Sequence, residues 1–264
     1  MEVIIQESTK KATDLAVKVI ANRLRAKPHM VLGLATGRTM ERLYERLVYK
    51  YNNNGLDFSL CKTYNLDEYV GLSPEDSHSY RYYMNEHLFT KINIDIRNTH
   101  LPDGMADDLE EEARKYEISI KEAGGIDLQL LGIGRSGHIG FNEPLSALHS
   151  RTRQKALTPT TLAQNGSLFD KPEDMPKLAM TMGVGTILDA KGILMLVTGE
   201  EKADILAKAV EGPVTSMISA TALQLHPKCT VIVDEEAASK LKEKEYYRWI
   251  YENDPEWIKF KREN

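Results

Sequence analysis

Short apolar runs alternate along this chain with amphipathic stretches whose apolar positions recur three and four residues apart. Residues 8–25 carry Ala12, Leu15, Ala16, Val19, Ile20 and Leu24 at that spacing behind Ser8, which predicts a capped helix. Met30–Ala35 reads as a buried strand, and Met40–Tyr51 as a helix with Leu43, Leu47 and Tyr51 inward. A strand is expected over Leu60–Leu66, a helix over Asp76–Leu88, a short strand over Ile94–Leu101 and a charged surface helix over Asp107–Glu122. Ile126–Ile133, bounded by Gly125 and Gly134, has the continuous apolar character of a strand buried inside a parallel sheet. Ser150–Lys155 alternates with period two and would place Arg151, Arg153 and Lys155 on one strand face. Residues 158–177 are punctuated by Thr, Pro, Asn and Gly and predict a mobile flap over an active site. Ala179–Met182, a helix around Gly185–Ala190 and the strand Ile193–Thr198 follow, and a helix opens at Gly199 and runs through Val210. Helix Ser216–Leu225, strand Cys229–Val233 and helices from Glu235 complete the alternation. The pattern predicts an α/β fold, a three-layer α/β/α sandwich around a mostly parallel sheet, with residues 1–264 as a single domain.

Composition narrows the class. With 264 residues, 42% apolar and 28% charged, the chain has the balance of a globular protein with a substantial core. A formal charge of −5 argues against a general nucleic-acid or membrane binder. The longest apolar run, Ile193–Val197, is too short to span a bilayer. The two cysteines, Cys61 and Cys229, match no metal spacing. Few thiols and no signal-type N-terminus point to a reducing cytoplasm.

Candidate chemistry gathers just beyond the central strand. Gly132, Gly134, Gly137, His138 and Glu143 follow it, where open α/β sheets bind their ligands. An imidazole and a carboxylate there suit proton transfer near neutral pH. The three glycines spell G-x-G-x-x-G, but Pro144 would break the helix that a dinucleotide fingerprint needs, and no acid lies near Thr158. No nicotinamide cofactor is therefore expected.

Two other turns hold candidate groups. Thr36-Gly37-Arg38-Thr39 joins a strand to a helix, either as a phosphate site built from free N–H groups, hydroxyls and a guanidinium or as an ordinary capped turn. Lys202, in the first turn of a helix, opposes the dipole preference and suggests a bound anion. Asp67 and Glu68 end a strand and should face opposite ways, one toward the crevice and one held by structure. Taken alone, Asp67 is a base or a loop cap. The Arg151–Lys155 face is an anion site or a solvated edge.

Taken together, Leu-Gly-Leu-Ala-Thr-Gly, Asn-Leu-Asp-Glu-Tyr-Val-Gly-Leu, Gly-His-Ile-Gly-Phe-Asn-Glu-Pro, Ser-Arg-Thr-Arg, Met-Gly-Val-Gly-Thr-Ile and Leu-Gln-Leu-His-Pro-Lys resemble the glucosamine-6-phosphate deaminase (isomerising) family. The resemblance runs from about residue 30 to 235, in order. It implies a Rossmann-like sheet and conversion of glucosamine 6-phosphate and water to fructose 6-phosphate and ammonia, with no metal and no organic cofactor. It assigns Asp67 as the base at C2, His138 to the ring oxygen and Glu143 as the hydrogen-bond partner of His138. It places the substrate phosphate at the Gly37 turn and Lys202, while the glycines after the central strand, Gly132 and Gly134 among them, let the sugar approach the backbone.

The chain departs from that family in three places. Ser136 stands where a carboxylate often orients the histidine, so slower ring opening is expected. Ser167 stands in the flap where allosteric members carry an arginine, and Arg38 stands where they have a second glycine; the pair suggests compensation. Ser146, Arg153 and Lys155 match positions of an allosteric phosphosugar site at subunit interfaces, and a homo-oligomer is one expectation. Ala156 in place of a threonine argues against that regulation. Three alternatives accompany this reading: the galactosamine epimer as substrate, a 6-phosphogluconolactonase-like hydrolase, and a sugar-phosphate sensor. The sensor would need a helix-turn-helix module, and the 29 residues before the first expected strand are read as holding one helix.

Overall fold

The computed structural model describes residues 1–262. In chain order its elements are β1 (Glu2–Gln6), α1 (Thr9–Ala26), β2 (Val31–Leu34), α2 (Arg38–Asn54), β3 (Lys62–Asn65), β4 (Asp67–Tyr69), α3 (Tyr80–His87), β5 (Thr99–His100) and α4 (Leu109–Glu122). There follow β6 (Leu128–Leu131), β7 (Arg153–Ala156), α5 (Pro159–Gly166), β8 (Leu178–Thr181), α6 (Val184–Leu188), β9 (Ile193–Val197), α7 (Ala203–Glu211), β10 (Cys229–Asp234), α8 (Lys244–Asn253) and α9 (Pro255–Arg262). Seven strands form one parallel sheet in the order β1-β10-β9-β6-β2-β3-β5.

The central strands β2, β6 and β9 are buried along their whole length, which is why their sequences are apolar but for Gln129 of β6. Helices cover both faces. Leu15, Ile20 and Leu24 of α1 and Leu43 and Leu47 of α2 pack into the same core as Leu32, Leu130 and Leu194. Ser8 caps α1, its hydroxyl accepting the N–H of Lys11 at 3.4 Å. No helix among the described residues is long and apolar enough to cross a membrane.

Several expectations need correction. A strand at residues 2–6, with Val3, Ile4 and Ile5 buried, precedes α1 and pairs with β10 at the sheet edge. The strand expected over Leu60–Leu66 ends at Asn65, and the chain turns at Leu66 into β4. That short strand joins β8 and β7 in a separate, antiparallel three-stranded sheet in the order β4-β8-β7. The strand expected over residues 94–101 shortens to Thr99–His100 behind a 3-10 turn at Ile96–Asn98. Ser216–Leu225 is a 3-10 helix over Ser219–Leu225. The flap contains α5 and closes on its own small core of Leu157, Phe169 and Met175 with Leu162 against it.

Candidate active site

Four strand ends of the parallel sheet converge on one cleft of about 780 Å³. After β2, the turn Thr36–Thr39 enters α2 through Gly37, whose φ of 111° an L side chain rarely adopts. No side chain caps α2, so N–H groups of its first turn remain free at the cleft. Tyr83 fixes the turn from α3, its hydroxyl donating to the Gly37 carbonyl at 2.9 Å. After β9, Lys202 reaches back across the cleft, and its Nζ donates to the Ile133 carbonyl at 2.9 Å. Burial pulls the Lys202 pKa down; Glu201 opposes that, and the charges of Arg135 and Arg38 reinforce it. A helix N-terminus with three cations around it could hold an anion.

After β6 comes the loop that carries His138. Gly134 is required there, because a Cβ would lie 2.1 Å from His138 Nε2. Gly137 has φ of 81°, and a Cβ on it would meet Ile218 at 2.5 Å. The imidazole Nδ1 lies 2.7 Å from Ser136 Oγ and 3.4 Å from Glu143 Oε2, the latter an ion-pair contact rather than an aligned hydrogen bond. With Nδ1 engaged from behind, Nε2 is left for the cleft. Glu143 is buried, and its Oε1 accepts the Thr158 N–H and hydroxyl, each at 3.1 Å. Burial raises its pKa, but His138, the Thr161 hydroxyl and the Thr158 N–H outweigh that and bring it down to about 2. A fixed anion therefore stands behind the histidine.

Asp67 enters from the first residue of β4. It and Glu68 face opposite ways, as strand geometry demands. Asp67 lines the cleft, whereas Glu68 binds the N–H groups of Tyr69, Tyr80 and Arg81 at 2.8, 2.9 and 2.8 Å. Gly140, at φ of 54°, lets the His138 loop pass close by; a Cβ there would sit 3.6 Å from Asp67 Oδ2 and 2.8 Å from Thr181 Oγ1. Burial, and then the neighbouring Glu68 charge, push the Asp67 pKa up to about 8.

The flap closes over this constellation on aromatic rings. Phe169 lies edge-on to Tyr69 at 5.9 Å and flat against His78 at 4.5 Å. Asn165 Nδ2 donates to the Tyr69 hydroxyl at 3.1 Å. Tyr69, His78, Tyr80, Phe141, Asn165 and Arg135 all line the cleft. Sequence reasoning gave none of them a role. The signal available was the aromatic run after Asp67, but nothing in it tells which rings meet.

Thr36, Gly37, Arg38, Thr39, Asp67, Gly132, Gly134, His138 and Lys202 line this one cleft. Ser136 and Glu143 do not; they touch the back of the imidazole, where they could hold it in position. Ser167 stays out of the cleft, its hydroxyl donating to the Gln164 carbonyl at 3.1 Å. Ser146, Arg153 and Lys155 lie outside it as well. Ser146 Oγ is buried without a partner, and Arg153 donates to Asn142 Oδ1 at 3.0 Å. Arg153 and Lys155 share the half-buried face of β7, but Arg151 precedes the strand and binds Glu117 and Asp189. It is not available to the anion face proposed from the alternation. Among the described residues, no three His, Cys, Asp or Glu side chains cluster to hold a metal ion.

Comparison with known proteins bears on what such a cleft acts on. Residues 5–232 match the family model described as glucosamine-6-phosphate isomerases/6-phosphogluconolactonase. The chain is 48% identical to a glucosamine-6-phosphate deaminase of Hahella chejuensis, over 95% of each protein. It is also similar to the solved structure of a monomeric glucosamine-6-phosphate deaminase, with a TM-score of 0.89 and 42% identity over 91% of this chain and 100% of that one. A 6-phosphogluconolactonase from Trypanosoma cruzi shares the fold, with a TM-score of 0.74 at 20% identity over 91% of this chain and 97% of that one.

Proposed function

The chain belongs to the family of glucosamine-6-phosphate isomerases and 6-phosphogluconolactonases, and we propose that within it this chain converts glucosamine 6-phosphate and water to fructose 6-phosphate and ammonia. One observation carries the reading: a single cleft joins an anion-binding helix start and Lys202 to a buried carboxylate and a backed imidazole. A phosphorylated amino sugar has the matching groups, a dianion at one end and an acidic C–H beside a carbonyl at the other.

The phosphate takes the N–H groups after Gly37, the Thr36 and Thr39 hydroxyls, Arg38 and Lys202. Gly132 and Gly134 let the ring lie against backbone. His138 Nε2 takes the anomeric hydroxyl proton and returns it to the ring oxygen as the C1–O bond breaks. Glu143, anionic behind Nδ1, stabilises the positive charge that the ring carries in that step. Asp67 then removes the C2 proton and delivers it to C1, while an amine proton reaches O1. The aldehyde becomes an alcohol and the amine an imine. Water adds at C2, and ammonia leaves. Every group of this sequence comes from one chain, so the reading needs no second subunit.

The test is direct. Purified protein is mixed with glucosamine 6-phosphate, ammonia and fructose 6-phosphate are followed together, and the run is repeated with galactosamine 6-phosphate. Stoichiometric release of both products from the first sugar is expected. Turnover of the epimer alone would move the substrate, and silence on both would end the reading.

A further inference from the structure

Two carboxylates of consecutive residues, Asp67 and Glu68, are buried on opposite sides of β4, and their surroundings differ sharply. Glu68 receives three backbone N–H groups, two of them, from Tyr80 and Arg81, at the start of α3. Burial raises its pKa; those donors, the helix dipole and the Arg81 charge work against that and favour its charged form. The Asp67 carboxylate has no such donor among the described residues, although it is buried to the same degree. When two such groups share a low-dielectric site, they titrate as a pair, and the group with fewer donors holds the proton.

We propose that Glu68 is a positioning residue for the base: anchored on the first turn of α3, its fixed negative charge makes Asp67 the protonable member of the pair and a stronger proton acceptor. This rests on Asp67 being the base. The other titratable groups that feel the Asp67 charge are phenols, Tyr44 from α2, Tyr80 from α3, Tyr116 from α4 and Tyr69 beside it. Burial raises all four, so none competes as a charge near neutrality. His138 faces Asp67 across the cleft, and the Arg81 charge acts on Glu68 rather than on the base. The arrangement has a chemical purpose. A carboxylate of ordinary basicity is a weak acceptor for a carbon acid, and a buried like charge strengthens it without adding a reactive group.

The test uses Glu68→Gln, which keeps one oxygen for the Tyr69 and Tyr80 N–H groups and removes the charge. The acid limb of kcat/KM should move down by about one pH unit or more, with KM little changed and the plateau of kcat several-fold lower. Infrared difference spectra read the protonated carboxyl band of Asp67 without any turnover, assigned by its loss in Asp67→Asn. That band should titrate well above the ordinary carboxylate range in the wild type and lower in Glu68→Gln. An unmoved band in Glu68→Gln or a wild-type band in the ordinary range would each overturn the proposal. If Asp67→Asn kept its turnover, the assignment of the base would fall instead, while the band would still report the coupling.

Discussion

Ser136 Oγ stands 2.7 Å from His138 Nδ1, on the same nitrogen that Glu143 approaches from 3.4 Å. The serine supplies direction and the glutamate supplies charge. A neutral hydrogen bond contributes about 1 kcal/mol, so Ser136→Ala should lower kcat by only about 3–10-fold. Glu143→Gln removes the anion behind the ring and should cost about 10²–10⁴-fold. Comparing the two kcat values checks this ranking; a larger loss from the serine would reverse the roles.

Asp67 makes the protein less stable than an isostere would. Its folded pKa of about 8 lies above its ordinary 3.8, so the folded state holds the proton more tightly than the unfolded chain. The stability linked to that proton is complete below the ordinary value and is lost as pH rises through about 8. Asp67→Asn should therefore match the wild type in Tm near pH 4 and exceed it by a margin that grows until about pH 8, at about 2–4 °C per kcal/mol. The same variant should be inactive. Calorimetry across pH checks it, and a constant or inverted difference would contradict the assigned titration.

Arg38 is exposed at the first turn of α2 and faces the same cleft as Lys202, while no cation comes from the flap side, where Gln164, Asn165, Leu168 and Phe169 line it. The proposed phosphate contacts are thus concentrated on the side of the cleft away from the flap. Arg38→Gly should raise KM about 5–10-fold with kcat little changed, because the contact serves ground and transition states alike. The effect should shrink at high salt, as expected for an exposed charge. An unchanged KM would remove Arg38 from the site.

The parts of this molecule that could be read from sequence are those where local pattern and burial agree. The Ile126–Ile133 run, the Gly37 turn and the glycines around His138 are dictated by continuous burial and by backbone that a Cβ would obstruct. Strand β4 is only Asp-Glu-Tyr, and its pairing with Ala179–Thr181 is set by tertiary contact. No periodicity could announce it. Helix α5 did carry a signal, Thr158 as its cap and Pro159 at its first position, but the Thr, Asn and Gly content of the segment obscured it. Strand β1 was hidden by its brevity, three buried residues between a glutamate and a glutamine.

The small antiparallel sheet also has a consequence for biosynthesis. Asp67 is paired with Thr181, and Glu2 with Thr230, so the base and the first strand both wait for late parts of the chain. As the polypeptide leaves the ribosome from its N-terminus, residues 2–6 have no partner strand until residues 230–234 have been made. The long-range pairings make assembly slow to begin and cooperative once begun. A nascent or truncated chain thus carries Asp67 and the whole Thr36–Thr39 turn, yet lacks the strand against which Asp67 is held. Order at Asp67 is delayed until a strand more than a hundred residues further along has been made.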